Sequence, residues 1–202
     1  MRHRGYPGKR AFDVALAAGA LVLLGIPLAV VALIIRLETH GHPIYRQRRV
    51  GRDGVPFELY KLRTMVTGAE SMGAGLVVDK GDARITRTGA WLRRLTVDEL
   101  PNLINVLRGE MSLVGPRPTV QVQVDRYTDR QRGRLSVRPG ITGWAQVNGR
   151  ASLPWPERIE LDVWYVDHRS LWLDVRILAK TARMLATGHG LYSEDLRQGW
   201  ND

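Results

Sequence analysis

Cysteine is absent from the 202 residues, so disulfides, thiolate nucleophiles and cysteine metal sites are excluded, while the redox compartment stays open. Histidine is scarce. The five residues include no H-E-x-x-H spacing, and the close pair His40 and His42 has the look of a solvated loop. Acidic residues are in the minority, 20 against 30 Lys and Arg. The resulting formal charge of +10 points to an anionic partner: nucleic acid, anionic lipid or a phosphorylated substrate. Long apolar runs are lacking everywhere but one place, and the length suits one domain with a real core.

That one run extends from Val14 to Ile35 without a charge. It is long enough for a membrane helix and exceeds a signal-peptide core of about 7–15 residues. Basic residues flank it on both sides: Lys9 and Arg10 before, Arg36, Arg46, Arg48, Arg49 and Arg52 after. Positive flanks favour the cytoplasmic face, and a straight span sends one of them across. Gly25 and Pro27 sit mid-run, where proline removes a helix hydrogen bond. A helix that enters, bends and returns satisfies both flanks; a proline-kinked spanning helix is the alternative. Asp13, three residues after Arg10, is placed to pair with it at helical spacing.

The stretch Leu95–Pro118, LTVDELPNLINVLRGEMSLVGPRP, carries the chemistry. Thr96 and Glu99 have capping-box spacing, Pro101 falls near the first turn, and Leu100, Leu103, Ile104 and Leu107 recur at helical spacing before Gly109. A helix capped at Thr96 places Asp98 at its positive end, which favours an ionised carboxylate and welcomes a phosphate. Most acidic residues in a first turn only cap. Here arginines surround the pair, Arg93 and Arg94 before and Arg117 in Gly-Pro-Arg-Pro after, which suits a site holding Mg²⁺ and a pyrophosphate together. If Glu99 closes the capping box, it is not free for metal, and the ion would lean on Asp98.

Elsewhere, PIYRQRRVGRDGVPFELYKLRTM (43–65) reads as a hairpin around Gly-Arg-Asp-Gly, with Lys61 and Arg63 on one strand face. Residues 67–83 read as a loop, in which Gly73-Ala-Gly75 is too short for a nucleotide fingerprint. Arg84–Arg94 mixes arginines with Trp91 and Leu92, as an interfacial or a plain surface helix does. Residues 119–137 read as polar and helical. The Gly- and Pro-rich 137–150 reads as a shaped loop in which Trp144, Asn148 and Arg150 suit a base, sugar or phosphate; packing is the alternative for Trp144. Pro156 to Thr187 reads as two helices, the second amphipathic with Trp172 near its start and Arg176, Lys180 and Arg183 on a polar stripe. Trp91 and Trp172 would face lipid or a second subunit, so a homodimer stays open.

Lys9-Arg10-x-x-Asp13, the proline-bearing apolar run, YKLRTM, the Asp98-Glu99 helix, GPRP and VRPGITGWAQVNGR occur in this order. With them the chain resembles the bacterial sugar transferases, the monotopic polyprenyl-phosphate phosphoglycosyl transferases of glycan and exopolysaccharide assembly. The likeness runs from about Lys9 to about Thr187 and is to the small members made of the catalytic core alone. It implies a mostly helical α/β monotopic membrane protein: a re-entrant helix-break-helix, a short β-hairpin, and amphipathic interfacial helices around a small catalytic core. The expected division is a basic tail (1–10), the re-entrant helix (11–37), a cytoplasmic catalytic domain (38–187) and a C-terminal tail (188–202). Lys9, Arg10, Asp13, Ile26 and Pro27 belong to the re-entrant element; many members have Ser-Pro where this chain has Ile26-Pro27.

The implied reaction moves a phosphosugar from a UDP-sugar to undecaprenyl phosphate at the cytoplasmic face of the bacterial inner membrane, releasing UMP. Asp98 matches the family nucleophile, and Glu99 would help place Mg²⁺ or the second phosphate; both are expected as metal ligands. Lys61, Arg93, Arg117 and Arg150 match basic family positions near the phosphates. The expected substrate-binding set adds Arg63, Pro118, Trp144 and Asn148. Nucleic acid is not an expected partner. Residue chemistry agrees: a carboxylate with a reference pKa of about 3.9 is a nucleophile at neutral pH without a general base. Phosphoryl transfer is chiefly positioning and charge neutralisation. Adjacent carboxylates do not straddle a glycosidic bond, which disfavours glycosidase chemistry. The competing class is a membrane-anchored basic module that binds anionic lipid or nucleic acid with strong salt dependence and no need of Mg²⁺.

Overall fold

Between Gly8, in the left-handed region at φ 81°, and the extended Thr39, the apolar run forms one 30-residue helix, α1 (Lys9–Glu38). The computed structural model describes residues 6–72, 82–149 and 153–187. Arg2, Arg4, the Gly73-Ala-Gly75 segment, Arg150 and the 188–202 tail lie outside them. Where a helix-break-helix is expected, the structure has one continuous helix: Pro27 sits inside it and forfeits one hydrogen bond, so there is no non-helical backbone to satisfy. A stripe at helical spacing faces the rest of the protein. Ala17, with Ala20 and Leu21, packs into the main core, and Leu28, Val31, Ala32 and Ile35 pack into a second cluster with Leu62 and Leu92. The opposite face is bare: Val22, Leu23 and Ile26 are 78–82% exposed. Both ends of α1 are therefore tied to one body while its apolar face is left for lipid, a monotopic arrangement.

Arginines clamp those ends. Arg10 Nη1 and Nη2 donate to the Val106 and Leu107 carbonyls at the end of helix α3 (Asn102–Arg108). Arg63 Nη1 and Nη2 donate to the carbonyls of His40 (2.9 Å) and Thr39 (2.8 Å), just past the end of α1. Helix C-termini leave carbonyls unsatisfied and negative, which is why cations collect there. Asp13 does not pair with Arg10, which is engaged on α3. Its partner is Lys9 (2.9 Å), with Ser112 Oγ (2.8 Å) and the Leu113 N–H (3.2 Å) also donating to it, all in a buried setting.

The hairpin forms as the sequence pattern predicts. Strand β1 (Ile44–Val50) runs antiparallel to β2 (Pro56–Leu62), Ile44 opposite Leu62, around a turn with Asp53 and Gly54 at positive φ. The edge of β2 is covered by α3. Asn102 Oδ1 accepts the Tyr60 N–H and Asn105 Nδ2 donates to the Glu58 carbonyl, so two buried amides on an otherwise apolar helix face satisfy the strand. Helix α2 (Arg87–Leu95) is capped by the Thr86 side chain and approaches the Thr64 backbone so closely that a Cβ at Gly89 would lie 2.0 Å from the Thr64 carbonyl oxygen.

Two stretches differ from the sequence expectation. Residues 119–137 are not one helix but two single turns, α4 (Gln121–Val124) and α5 (Asp129–Arg132), and a 3₁₀ segment, because Asp125 to Thr128 break the helical pattern. Within 137–150, β4 (Gly140–Thr142) pairs in parallel with β3 (Ser112–Val114), followed by the short helix α6 (Trp144–Val147). Glycine permits that pairing: a Cβ on Gly140 would lie 2.1 Å from the Gly115 nitrogen. The two C-terminal helices stand as expected, α7 (Trp155–His168) and α8 (Leu171–Thr187), with Trp172 76% and Trp91 54% exposed.

Candidate active site

Thr96 ends α2 instead of starting a helix. It adopts φ 57° and ψ 23°, its backbone N–H closes the end of α2 on the Arg93 and Leu92 carbonyls, and its hydroxyl makes no capping bond and is buried without a partner among the described residues. The capping box is therefore absent. The chain reverses into a 3₁₀ turn, Val97–Glu99, before α3, and the Glu99 side chain points away from the Thr96 backbone, toward cations. Lys61 Nζ donates to Glu99 Oε1 (2.8 Å), Arg117 Nη2 to the same oxygen (2.7 Å), and Arg117 Nη1 to Oε2 (3.4 Å). Three separated segments thus meet: the end of β2, the 3₁₀ turn, and the Gly-Pro-Arg-Pro turn after β3.

The electrostatics divide the two adjacent carboxylates. Burial pushes the Glu99 carboxyl up, but Arg117 and Lys61 more than reverse this and hold it far below the usual range. Burial raises the Asp98 carboxyl above its ordinary value, with Lys61 opposing and the Glu99 charge adding to the rise. The helix start expected to favour the ionised Asp98 is absent: a three-residue 3₁₀ turn offers little dipole against the loss of water. Asp98 makes no side-chain hydrogen bond among the described residues.

Both carboxylates line a cleft of about 1100 Å³ whose walls also carry Arg46, Arg49, Lys61, Arg63, Arg93 and Arg117. Among the described residues, six cations against two carboxylates leave an excess of positive charge. The crowding is visible at Arg49, where burial and then the neighbouring Arg117 pull the guanidinium below its usual value. Such a cleft is built for a polyanion. No group of three or more metal-ligating side chains occurs among the described residues. Mg²⁺ needs only one or two carboxylates beside water and substrate phosphate. Asp98 and Glu99 Oε2, whose sole bond among the described residues is the long one to Arg117, meet that requirement.

The structure gathers part of the expected set. Lys61, Arg93 and Arg117 line the cleft with Asp98 and Glu99, and Pro118 follows Arg117 in the turn. Among the described residues Arg93 spends only Nε, on Thr64 Oγ1 (2.8 Å). Arg63 borders the cleft, and its Nη1 and Nη2 are engaged by Thr39, His40 and Thr67, so that it clamps the end of α1. Trp144 and Asn148 lie elsewhere. Trp144 stacks on Trp164 (4.9 Å) under Lys180, and Asn148 Oδ1 accepts from Lys180 Nζ (3.0 Å), so packing explains both. Arg49 and Gln47, which donate and accept between themselves inside the cleft, were legible only through the hairpin register, since alternation puts Tyr45, Gln47 and Arg49 on one strand face.

Comparison with known proteins bears on this constellation. The family described as "Bacterial sugar transferase" matches residues 5–188. The sugar transferase EpsL of Bacillus subtilis is 43% identical over 183 residues, covering 91% of this chain and 89% of the relative. A UDP-N-acetylgalactosamine-undecaprenyl-phosphate N-acetylgalactosaminephosphotransferase of Aeromonas hydrophila is 43% identical over 189 residues, 90% of this chain and 44% of the relative. A UDP-glucose:undecaprenyl-phosphate glucose-1-phosphate transferase of Caulobacter vibrioides is 42% identical over 192 residues, 91% and 72%. The chain thus spans nearly all of the first but less than half of the second. A match across almost its whole length, including every segment that meets at Glu99, leads to one conclusion: the chain belongs to the bacterial sugar transferase family.

Proposed function

We propose that this protein transfers a phosphosugar from a UDP-sugar to undecaprenyl phosphate, with Asp98 as the nucleophile. One observation carries the reading: a carboxylate free of side-chain hydrogen bonds among the described residues stands in a cation-lined cleft, beside a second carboxylate locked by Lys61 and Arg117. A Asp98 oxygen attacks the sugar-bearing phosphorus, and the phosphorus–oxygen bond to UMP breaks, UMP leaving with the electron pair. An oxygen of undecaprenyl phosphate then attacks the aspartyl phosphosugar; the Asp98–phosphorus bond breaks and the carboxylate returns. No general base is required for the first step, because the nucleophile needs only to be ionised. Arg93, Arg117 and Arg49 neutralise the phosphates. Lys61 and Arg117 keep Glu99 from swinging onto the reacting centre. Mg²⁺, held by Asp98 and Glu99 Oε2, would supply further charge neutralisation for the pyrophosphate. Positive residues at both flanks of α1 support a cytoplasmic orientation.

The test is UMP release from a panel of UDP-sugars with undecaprenyl phosphate and Mg²⁺ in detergent, for wild type and Asp98→Asn. UMP from one donor, abolished by the substitution and by chelation, is the expected result. A folded wild-type protein that releases none from any donor, yet binds anionic vesicles or nucleic acid with a steep salt dependence that ignores Asp98, would replace this reading with the binding module.

A further inference from the structure

Behind the Gly-Pro-Arg-Pro turn lies an ion pair that the proposed chemistry does not use. Arg134 and Asp162 are each 2% exposed, Arg134 in the 3₁₀ segment before β4 and Asp162 midway along α7. Arg134 Nη2 donates to Asp162 Oδ2 and also to the carbonyl oxygen of Arg117 (2.9 Å). Its Nη1 donates to the Tyr127 hydroxyl, which in turn donates to Thr119 Oγ1 (3.4 Å). The Thr119 carbonyl accepts the Val50 N–H (2.8 Å). The residues on either side of Pro118 are therefore both anchored from beneath.

We infer that the Arg134–Asp162 pair positions the cleft, fixing the Arg117 backbone so that the Arg117 guanidinium meets Glu99. Ordinary core stability does not account for this pair. The Arg117 side chain is 44% exposed, so packing around it does not dictate where it points; its direction toward Glu99 comes from its backbone. Moreover, a buried ion pair is a poor source of stability, since well-packed apolar residues of similar volume often serve as well or better. What an apolar pair cannot do is hold a carbonyl oxygen. Asp162 holds the guanidinium plane, Arg134 holds the carbonyl, and Arg117 carries the placement to Glu99. Arg134 and Asp162 touch no substrate in this scheme; both are positioning residues. The consequence for turnover rests on the transferase reading, whereas the placement of Arg117 does not.

The decisive variant is Arg134→Met with Asp162→Leu, which removes the anchor without leaving a buried charge. Nitrogen-15 NMR of arginine-labelled protein in detergent follows the Arg117 Nη groups, their signals assigned with Arg117→Lys. The double variant should keep its cooperative melting while the Arg117 Nη signals, held apart in wild type by the fixed ion pair with Glu99, merge as the guanidinium turns freely. UMP release should fall about 10–100-fold, the scale expected when a positioned group is misplaced by about an ångström. Arg134→Lys, which keeps the charge but not the planar fork, should fall between the two and supplies the same readouts if the double variant does not fold. A folded variant whose Arg117 Nη signals are as in wild type overturns the inference, whatever the enzyme does. A wild type that releases no UMP overturns the transferase reading and leaves the Arg117 signals to decide this one.

Discussion

Replacing Glu99 with glutamine removes one negative charge from between two cations, and the structure allows the cost to be placed. Glu99 is 9% exposed and receives Lys61 at 2.8 Å and Arg117 at 2.7 Å. Removing one partner from a fully buried pair costs about 3–5 kcal/mol, whereas exposed pairs contribute at most about 1 kcal/mol. The Lys61 and Arg117 side chains are 20% and 44% exposed, so water recovers part of the loss. An intermediate cost of about 2 kcal/mol follows, or about 4–8 °C in melting temperature for a chain of this size. The pH dependence has a definite sign. The Glu99 carboxyl is held well below its ordinary 4.5 in the folded state. Its contribution is therefore complete above about pH 5 and disappears as pH falls through the depressed folded value. Thermal unfolding in detergent, followed by tryptophan fluorescence, should show a constant gap between wild type and Glu99→Gln from about pH 5 to 8 that narrows below it. A gap unchanged at pH 3, or a glutamine variant that melts higher, would refute the reasoning.

Two other substitutions test the frame that holds the site. Thr96→Gly relieves a β-branched residue in the left-handed region and removes a buried unpartnered hydroxyl; against the extra chain entropy of glycine this should stabilise by about 1 kcal/mol, read as a melting temperature raised by about 2–4 °C. A lower melting temperature would mean that the Thr96 side chain contributes packing that outweighs the strain. Asp13→Asn leaves Lys9 facing Asp174 alone and turns an amide N–H₂ toward groups that already donate, Ser112 Oγ or the Leu113 N–H. It should destabilise by about 3 kcal/mol, measured by the same melting assay; an unchanged midpoint would show that the buried charge at Asp13 is dispensable.

The sequence carries the membrane helix, the hairpin and the Asp98-Glu99 pair openly because each is a local pattern: an uncharged run, period-two alternation around a Gly-rich turn, adjacent acids among arginines. It misleads at Thr96. There the same residues satisfy a capping-box spacing and a helix C-terminus, and only tertiary contact decides, since Lys61 and Arg117 offer Glu99 more than the Thr96 backbone does. At Arg63, Trp144 and Asn148 it leaves two readings open. A cation near a strand end and an aromatic in a glycine-rich stretch look the same whether they face a ligand or a helix end, and the difference lies in neighbours distant along the chain. Arg134 and Asp162 are the extreme case. Neither belongs to any local motif, and their relation to Arg117 exists only once α7 is docked.

The arginines flanking α1 act twice, and this connects the membrane helix to the cleft. As sequence they are a charge bias that opposes a straight crossing. As structure they are clamps: Arg10 on the end of α3, Arg36 on the Gly41 carbonyl, Arg63 on the carbonyls of Thr39 and His40. Because Arg63 grips the end of α1 and also lines the cleft, as His42 does, the cleft begins where the membrane helix stops. On the transferase reading this is the geometry a lipid-borne phosphate requires. Its polyprenyl chain can stay among acyl tails against the bare face of α1 while its phosphate reaches the cations around Asp98, without the apolar chain crossing water. A helix with its two ends on opposite faces of the membrane would separate one clamp from the other. The single missing hydrogen bond at Pro27 is a small cost beside that loss.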